Sequence, residues 1–388
     1  MEFKKLLSQI YNLSPKKIIS KLKIKFQFAQ KTKTKMVKRE NPSPTKYIHI
    51  GYPKAASTSL QKDYFGEHPE MLHLGCGNKS KSDHWDDHGY ISKEINIAME
   101  VDIRYRNRMS YDAVKTRKVF QIFFDQAVKD EYCHAVGISN ENICFNWHGG
   151  VDTQEKAERL KDIFGDEAKI VMICRNQKEL IESLYKETVR FGYDGQFFDY
   201  LKYIWTYQFN NFFFDFHFDR VFQVYRELFG VQNVEVFLFE DLIHNDKNFL
   251  SALSKFLGVN NQINSLNGQR NTQLSNKELA IKLQLNKKAP HSFGNSFLES
   301  FDTHRYVPYF FENSKKEILS DEHYVDYYLR KSLNETAKSL SSLTQTGELE
   351  LSWENEFGDQ ILESMKTSNK TLYKLTKIQS LYQYNYIE

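Results

Sequence analysis

Cysteine is scarce and scattered in this chain. Four are present among 388 residues, Cys76, Cys133, Cys144 and Cys174, and no two form a C-x-x-C pair. Such spacing argues against a disulfide framework or a thiolate zinc site and fits a reducing compartment. Glycine (17) and proline (7) are too few for a collagen-like or linker-rich chain. No apolar run approaches the roughly 18–20 residues of a membrane span. The opening residues lack the apolar stretch and cleavage site of a secretory signal, so a cytoplasmic protein is expected. What is plentiful is core-forming material. Hydrophobic residues make up 40% and charged residues 27%, which permits a packed interior and excludes wholesale disorder. Aromatics are abundant, with 30 Phe, 23 Tyr and 4 Trp.

Net charge is +3, but it is unevenly placed. Residues 1–46 hold 13 Lys/Arg against two acids, Glu2 and Glu40, for +11. The remaining 342 residues carry 40 basic and 48 acidic side chains, for −8. Phe3, Leu6, Leu7 and Ile10 recur at helical spacing, as do Ile18, Ile19, Leu22 and Phe26 beyond Pro15. Two short basic amphipathic helices are expected. They could lie on an anionic membrane surface, placing the protein peripherally at the inner membrane face, or pack on the body with their lysines in solvent. Nucleic acid is the least favoured partner. Lys31 to Thr45, with Pro42 and Pro44, reads as a linker.

Further on, short apolar runs alternate with helical patterns. Strands are expected at 47–50, 134–139, 169–174 and 234–239. Helices are expected near 93–107, 111–131, 153–164, 176–191 and 246–257, with a long aromatic helical stretch over 197–229. Residues 71–92 read as loop. This alternation predicts an α/β fold of three layers, a central parallel β-sheet covered on both faces. The domain reading is an arm and linker at 1–45, an α/β domain at 46–275, and a mostly helical C-terminal extension at 276–388 packed on the same domain.

The first strand runs into Gly51-Tyr52-Pro53-Lys54-Ala55-Ala56-Ser57-Thr58-Ser59-Leu60. A strand, a tight turn and an opening helix make an anion site, because unpaired N–H groups and the helix dipole converge there. Ser57, Thr58 and Ser59 add hydroxyls, Lys54 adds a positive charge, and Ala55 and Ala56 keep the turn small. The Walker A pattern would need Gly and Lys just before the helix. Here position 56 is Ala, position 57 is Ser and the lysine lies earlier, which weakens a P-loop phosphotransferase reading without removing it. Arg175 ends the third strand, at the sheet edge where open α/β folds bind ligands. Ser183 follows a little over two helical turns later, and an arginine fork with a hydroxyl suits a phosphate.

Residues 47–61, YIHIGYPKAASTSLQ, resemble the 5′-phosphosulfate loop of the PAPS-dependent sulfotransferases, PK-x-GTT-x-L. Pro53, Lys54, Thr58 and Leu60 match, Ser57 replaces a threonine, and Ala56 stands where the family usually has Gly. Arg175 and Ser183 match the family's arginine followed eight residues on by serine. EVFLFEDLIHNDKNFLSALSKFLGV (235–259) resembles its strand, E-D-L corner and helix, with Glu240 and Asp241 read as structural. Arg270-Asn271 resembles a basic-Asn pair in a loop that closes over the nucleotide. The four segments span about 46–275 in the family's order and leave both ends of the chain uncovered.

The resemblance implies transfer of a sulfuryl group from PAPS to a hydroxyl or amine acceptor on a carbohydrate or glycoconjugate, leaving adenosine 3′,5′-bisphosphate and requiring no metal. Lys54 would stabilise charge on the leaving oxygen. Lys54 through Ser59 would hold the 5′ end and Arg175 and Ser183 the 3′-phosphate, with Arg270 completing the phosphate clamp and Asn271 beside it on the loop that closes over the nucleotide. Glu141, directly after the second strand, would be the general base, with His148 as the second candidate. His84 and His88 among acids in the 71–92 loop lack the helical setting of a metal pair. A non-catalytic, membrane-attached protein that keeps the fold is the remaining alternative.

Overall fold

The computed structural model describes residues 37–75, 89–146, 151–190, 192–260, 263, 265–266, 274–288, 332–345 and 347–387. The basic helices expected within 1–36, and Cys76, His84, His88, His148, Arg270 and Asn271, lie outside these residues.

Five strands form one parallel sheet: β1 (Thr45–Gly51), β2 (Met71–His73), β3 (Ala135–Ser139), β4 (Lys169–Cys174) and β5 (Val234–Leu238), in the order β2-β3-β1-β4-β5. Ile48, Ile50, Val136, Ile138 and Ile170 through Cys174 are buried, as near-continuous apolar strands covered on both faces require. Helices α1 (Ser57–Ser59, continuing as a π-helical turn over Leu60–Phe65), α2 (Lys93–Ile97, continuing likewise over Ala98–Ile103), α3 (Ala113–Lys129), α4 (Thr153–Phe164), α5 (Gln177–Arg190), α6 (Phe197–Thr206), α7 (Phe218–Phe229), α8 (Phe239–His244), α9 (Asp246–Leu257), α10 (Asn276–Lys288) and α11 (Glu356–Thr376) flank it. The expected α/β class with a central parallel sheet is what the chain adopts.

The order places β1 between β3 and β4. The chain leaves β1 toward β2 on one side and leaves β4 toward β5 on the other. The crevice above β1 and β4 is therefore the topological switch point, where open α/β sheets bind ligands.

Two expectations need correction. Residues 71–92 are not all loop, since Met71–His73 pairs with β3 as a three-residue edge strand. The aromatic stretch 197–229 is not one helix. It stops at Thr206 and resumes through a 3₁₀ turn, Phe212–Phe216, before α7. Asn211 makes the break: its amide donates to the Ile204 carbonyl at 2.9 Å and its side-chain oxygen accepts from Phe213 N–H at 2.8 Å, so it competes with the helical ladder. The described end of the 31–45 segment is docked on the body. Arg39 donates to the carbonyls of Val128 (3.1 Å), Asp130 (3.1 Å) and Cys133 at the end of α3, where a cation also meets the negative end of the helix.

Toward the C-terminus α11 packs on α6 and α7. Asn369 and Gln177 exchange two side-chain hydrogen bonds at 2.8 and 2.9 Å. Tyr386 donates to Glu240 (2.8 Å) and Tyr384 to Asp241 (3.0 Å), while Glu240 also accepts from Asn176 N–H at 2.9 Å. The two acids of the E-D-L corner thus tie the chain's last residues to the segment just after β4.

Candidate functional site

Strand β1 ends against the segment that follows β3. A Cβ on Gly51 would lie 2.7 Å from the Glu141 carbonyl oxygen and 3.0 Å from Cys144 Sγ, and the residue has φ +116°, so both space and backbone demand glycine. The loop then turns tightly. Lys54 and Ala56 both adopt left-handed conformations, at φ 62° and 59°. Non-glycine residues in that region concentrate at functional sites. Ser57 Oγ donates to the Tyr52 carbonyl at 2.8 Å and closes the loop on itself, so this hydroxyl proton serves the turn. Thr58 and Ser59 are half-buried. No side chain caps the helix that begins at Ser57, which leaves its first N–H groups for another acceptor.

The loop after β4 meets this loop directly. Arg175 Nη1 donates to the Lys54 carbonyl at 3.0 Å. The guanidinium lies 5.0 Å from the Phe239 ring centroid and pairs with Glu179, one turn into α5, at 3.0 Å. Lys54 reaches the same helix two turns further on, its ammonium 3.3 Å from Glu187 Oε2. Ser183 lies between these two acids in sequence. It is 6% exposed, and its hydroxyl has no hydrogen-bond partner. Lys54, Ala55, Ala56, Ser57, Thr58, Ser59, Arg175 and Ser183 are therefore gathered on one loop, one strand tip and one helix.

Glu141 follows β3 on the same edge. Gln61, in the π-helical turn after the loop, donates to Glu141 Oε2 at 3.4 Å. The turn carrying Glu141 is fixed from below. Asn140 Oδ1 accepts from Asn142 N–H at 2.9 Å. Lys156 Nζ donates to the carbonyls of Asn142 (3.2 Å) and Phe145 (3.4 Å). Asp215 accepts from Asn146 N–H (2.8 Å) and Thr153 Oγ1 (2.7 Å). Burial lowers the Lys156 pKa to about 8, with the Asp215 charge opposing that shift. Burial likewise raises the Asp215 carboxyl above the ordinary value, and Lys156 opposes it. On the other side of Asn140, its amide donates to Tyr90 Oη (2.8 Å) and Glu100 Oε1 (2.9 Å), and Arg104 pairs with Glu100.

Glu179, Glu187 and Gln61 are site residues that the sequence reading passed over. A signal was available: Glu179, Ser183 and Glu187 repeat every four residues, so they share one side of a helix. Nothing in the sequence says that the stripe faces Lys54. Among the described residues no group of three or more His, Cys, Asp or Glu side chains is placed to hold a metal ion. None of the described helices is long and apolar enough to cross a membrane.

No protein-family model matches the chain, and no curated protein matches it by sequence. Among solved structures, it is similar to a sulfotransferase from Alicyclobacillus acidocaldarius, at 19% identity and a TM-score of 0.41, over 63% of this chain and 92% of that one. A likeness of this size carries no residue roles across.

Proposed function

We propose that the chain is a sulfotransferase that moves the sulfuryl group of PAPS to a hydroxyl or amine of a carbohydrate or glycoconjugate acceptor. The observation that carries this reading is the 3.0 Å bond from Arg175 to the Lys54 carbonyl. It brings two cations from distant parts of the sequence to one switch point, beside an uncapped helix start and an unpartnered buried hydroxyl. A nucleotide with an anionic group at each end suits that arrangement.

The donor supplies an activated sulfuryl group and departs as adenosine 3′,5′-bisphosphate. Lys54 faces the leaving oxygen and offsets the charge that develops there. The N–H groups at Ser57–Ser59 bind the 5′-phosphate. Arg175 and Ser183 bind the 3′-phosphate, the guanidinium using protons not committed to Glu179 and the Lys54 carbonyl. Glu141 accepts the acceptor's proton, and the buried bonds around Asn142, Phe145 and Asn146 hold its turn in place. His148, Arg270 and Asn271 remain candidates for the same site, and the basic arm for contact with an anionic membrane surface. The protein would work in the cytoplasm or at the inner membrane face. No step in this scheme needs a metal.

Calorimetry on the full chain with adenosine 3′,5′-bisphosphate tests the reading. Binding that persists in EDTA and weakens at least about tenfold in Arg175→Ala is expected, as for loss of a charge-assisted pair. Absence of binding in the wild type, or binding of nucleoside triphosphates only with magnesium, overturns it in favour of a phosphotransferase or a non-catalytic fold.

A further inference from the structure

Helix α5 offers each cation of the site an internal anion. Glu179 and Glu187 are eight residues apart, about 12 Å along the helix axis. Glu179 pairs with Arg175 and Glu187 with Lys54. The two pairs differ in their access to water. Side-chain exposures are 17% for Lys54 and 14% for Glu187, but 21% for Arg175 and 56% for Glu179. The Lys54 pair is therefore the less screened of the two.

Glu187 also has a second partner. Arg190 Nη2 donates to its other oxygen, Oε1, at 2.5 Å. Lys54 can therefore turn to a ligand without stranding a buried carboxylate, because Arg190 still satisfies it. The Lys54–Glu187 bond is built to be exchanged. A ligand that displaces it must bring enough negative charge to the 5′ end to replace what Lys54 gives up. Resting on the donor-site reading above, we propose that Glu187 is an affinity-limiting residue that competes with the ligand's 5′-phosphate for Lys54 and so selectively weakens binding through that end of the nucleotide. Glu179 plays the same part at the 3′ end, with a smaller effect because water already screens it.

Three nucleotides separate the two ends: adenosine 3′,5′-bisphosphate, 5′-AMP and 3′-AMP, each titrated calorimetrically into the full-length wild type, Glu187→Gln and Glu179→Gln. In Glu187→Gln, 5′-AMP and the bisphosphate should bind about fivefold tighter, with 3′-AMP changing less than about twofold. In Glu179→Gln, 3′-AMP and the bisphosphate should tighten about twofold, with 5′-AMP unchanged. Glu187→Asp, which keeps the charge but withdraws it from Lys54, should give the Gln pattern at smaller size. Equal tightening of all three nucleotides in Glu187→Gln would reduce the effect to net charge and overturn the proposal. So would weaker binding of 5′-AMP, which would mean that Glu187 orients Lys54 rather than competing for it. If the wild type binds none of the three, the donor-site reading itself has failed, and it is recognised as such before any variant is compared.

Discussion

Two groups of charges sit at the same end of the sheet, and they are built differently. Around Lys54 and Arg175 the ion pairs are partly exposed, their acids come from one helix, and Ser183 keeps an unpartnered hydroxyl between them. Lys156 is fully buried and Asp215 mostly so, and their bonds run to backbone carbonyls and N–H groups of the Glu141 turn. Burial makes the second set expensive to disturb, since a charge stripped of its partner there has no water to turn to. Partial exposure makes the first set cheap to rearrange. One set can trade partners with a ligand, and the other holds the frame within which that trade occurs.

Substituting one lysine from each group should separate stability from function. Lys156→Met leaves two buried carbonyls without their donor and removes the charge that favours ionised Asp215, and should lower the unfolding free energy by about 2–4 kcal/mol in guanidinium titrations. Lys54→Met removes only a partly screened pair and should cost about 1 kcal/mol or less. On the proposed function, its sulfuryl-transfer kcat should nonetheless fall about 10²–10³-fold, the usual loss for one donor to a developing negative charge. Comparable loss of stability in both variants would erase the distinction. The Lys156 effect also carries a sign in pH. Its folded pKa of about 8 lies below the ordinary 10.5, so its contribution is complete above 10.5 and is lost as pH falls through 8. Wild type should therefore gain on Lys156→Met as the pH is raised from 8 toward 10.

His49 belongs to the fixed group and makes the contrast visible at acid pH. It is buried on β1, stacked on Phe65, with Nδ1 2.6 Å from Ser139 Oγ and no partner for Nε2. Burial pushes its pKa from 6.5 down to about 3. Its stabilising contribution is then complete above pH 6.5 and is lost as pH falls toward 3, by about 2 kcal/mol between pH 6.5 and 5. Buried His68 and His217 are shifted the same way and add to the slope. His49→Gln should flatten the curve of unfolding free energy against pH in this window. Superimposable curves for variant and wild type would remove His49 from the account.

The readable parts of the molecule are those written in local periodicity. Four strands announce themselves as apolar runs, and the helix expected at 246–257 is found at Asp246–Leu257, closing at Gly258. Strand β2 did not show, because three residues at a sheet edge carry almost no pattern. The break in the aromatic stretch was written in Asn210-Asn211, but Phe and Tyr on either side masked it. The loop, Arg175 and Ser183 could be named from sequence because each sits at a strand tip or one helix face. Their acidic partners could not. Lys54 and Glu187 are separated by 133 positions, and only the packing of α5 along the loop joins them. Arg39 was invisible for the same reason, since its acceptors lie about ninety residues away.

The smallest expected effect falls on the hinge of the exchangeable group, Ala56. It adopts φ 59° and ψ 17°, a left-handed conformation that costs a residue with a Cβ about 1–2 kcal/mol. Glycine would remove that cost while giving back about 0.5–1 kcal/mol through the freedom it adds to the unfolded chain. Ala56→Gly should therefore raise the unfolding free energy by about 0.5–1 kcal/mol. It should leave adenosine 3′,5′-bisphosphate affinity within about twofold, because the N–H groups that follow stay where they are. The methyl group is half-buried against the core, so the opposite sign is also physically meaningful. If glycine destabilises the protein, the contacts of that methyl outweigh the backbone cost, and the turn belongs with the fixed group rather than with the exchangeable one.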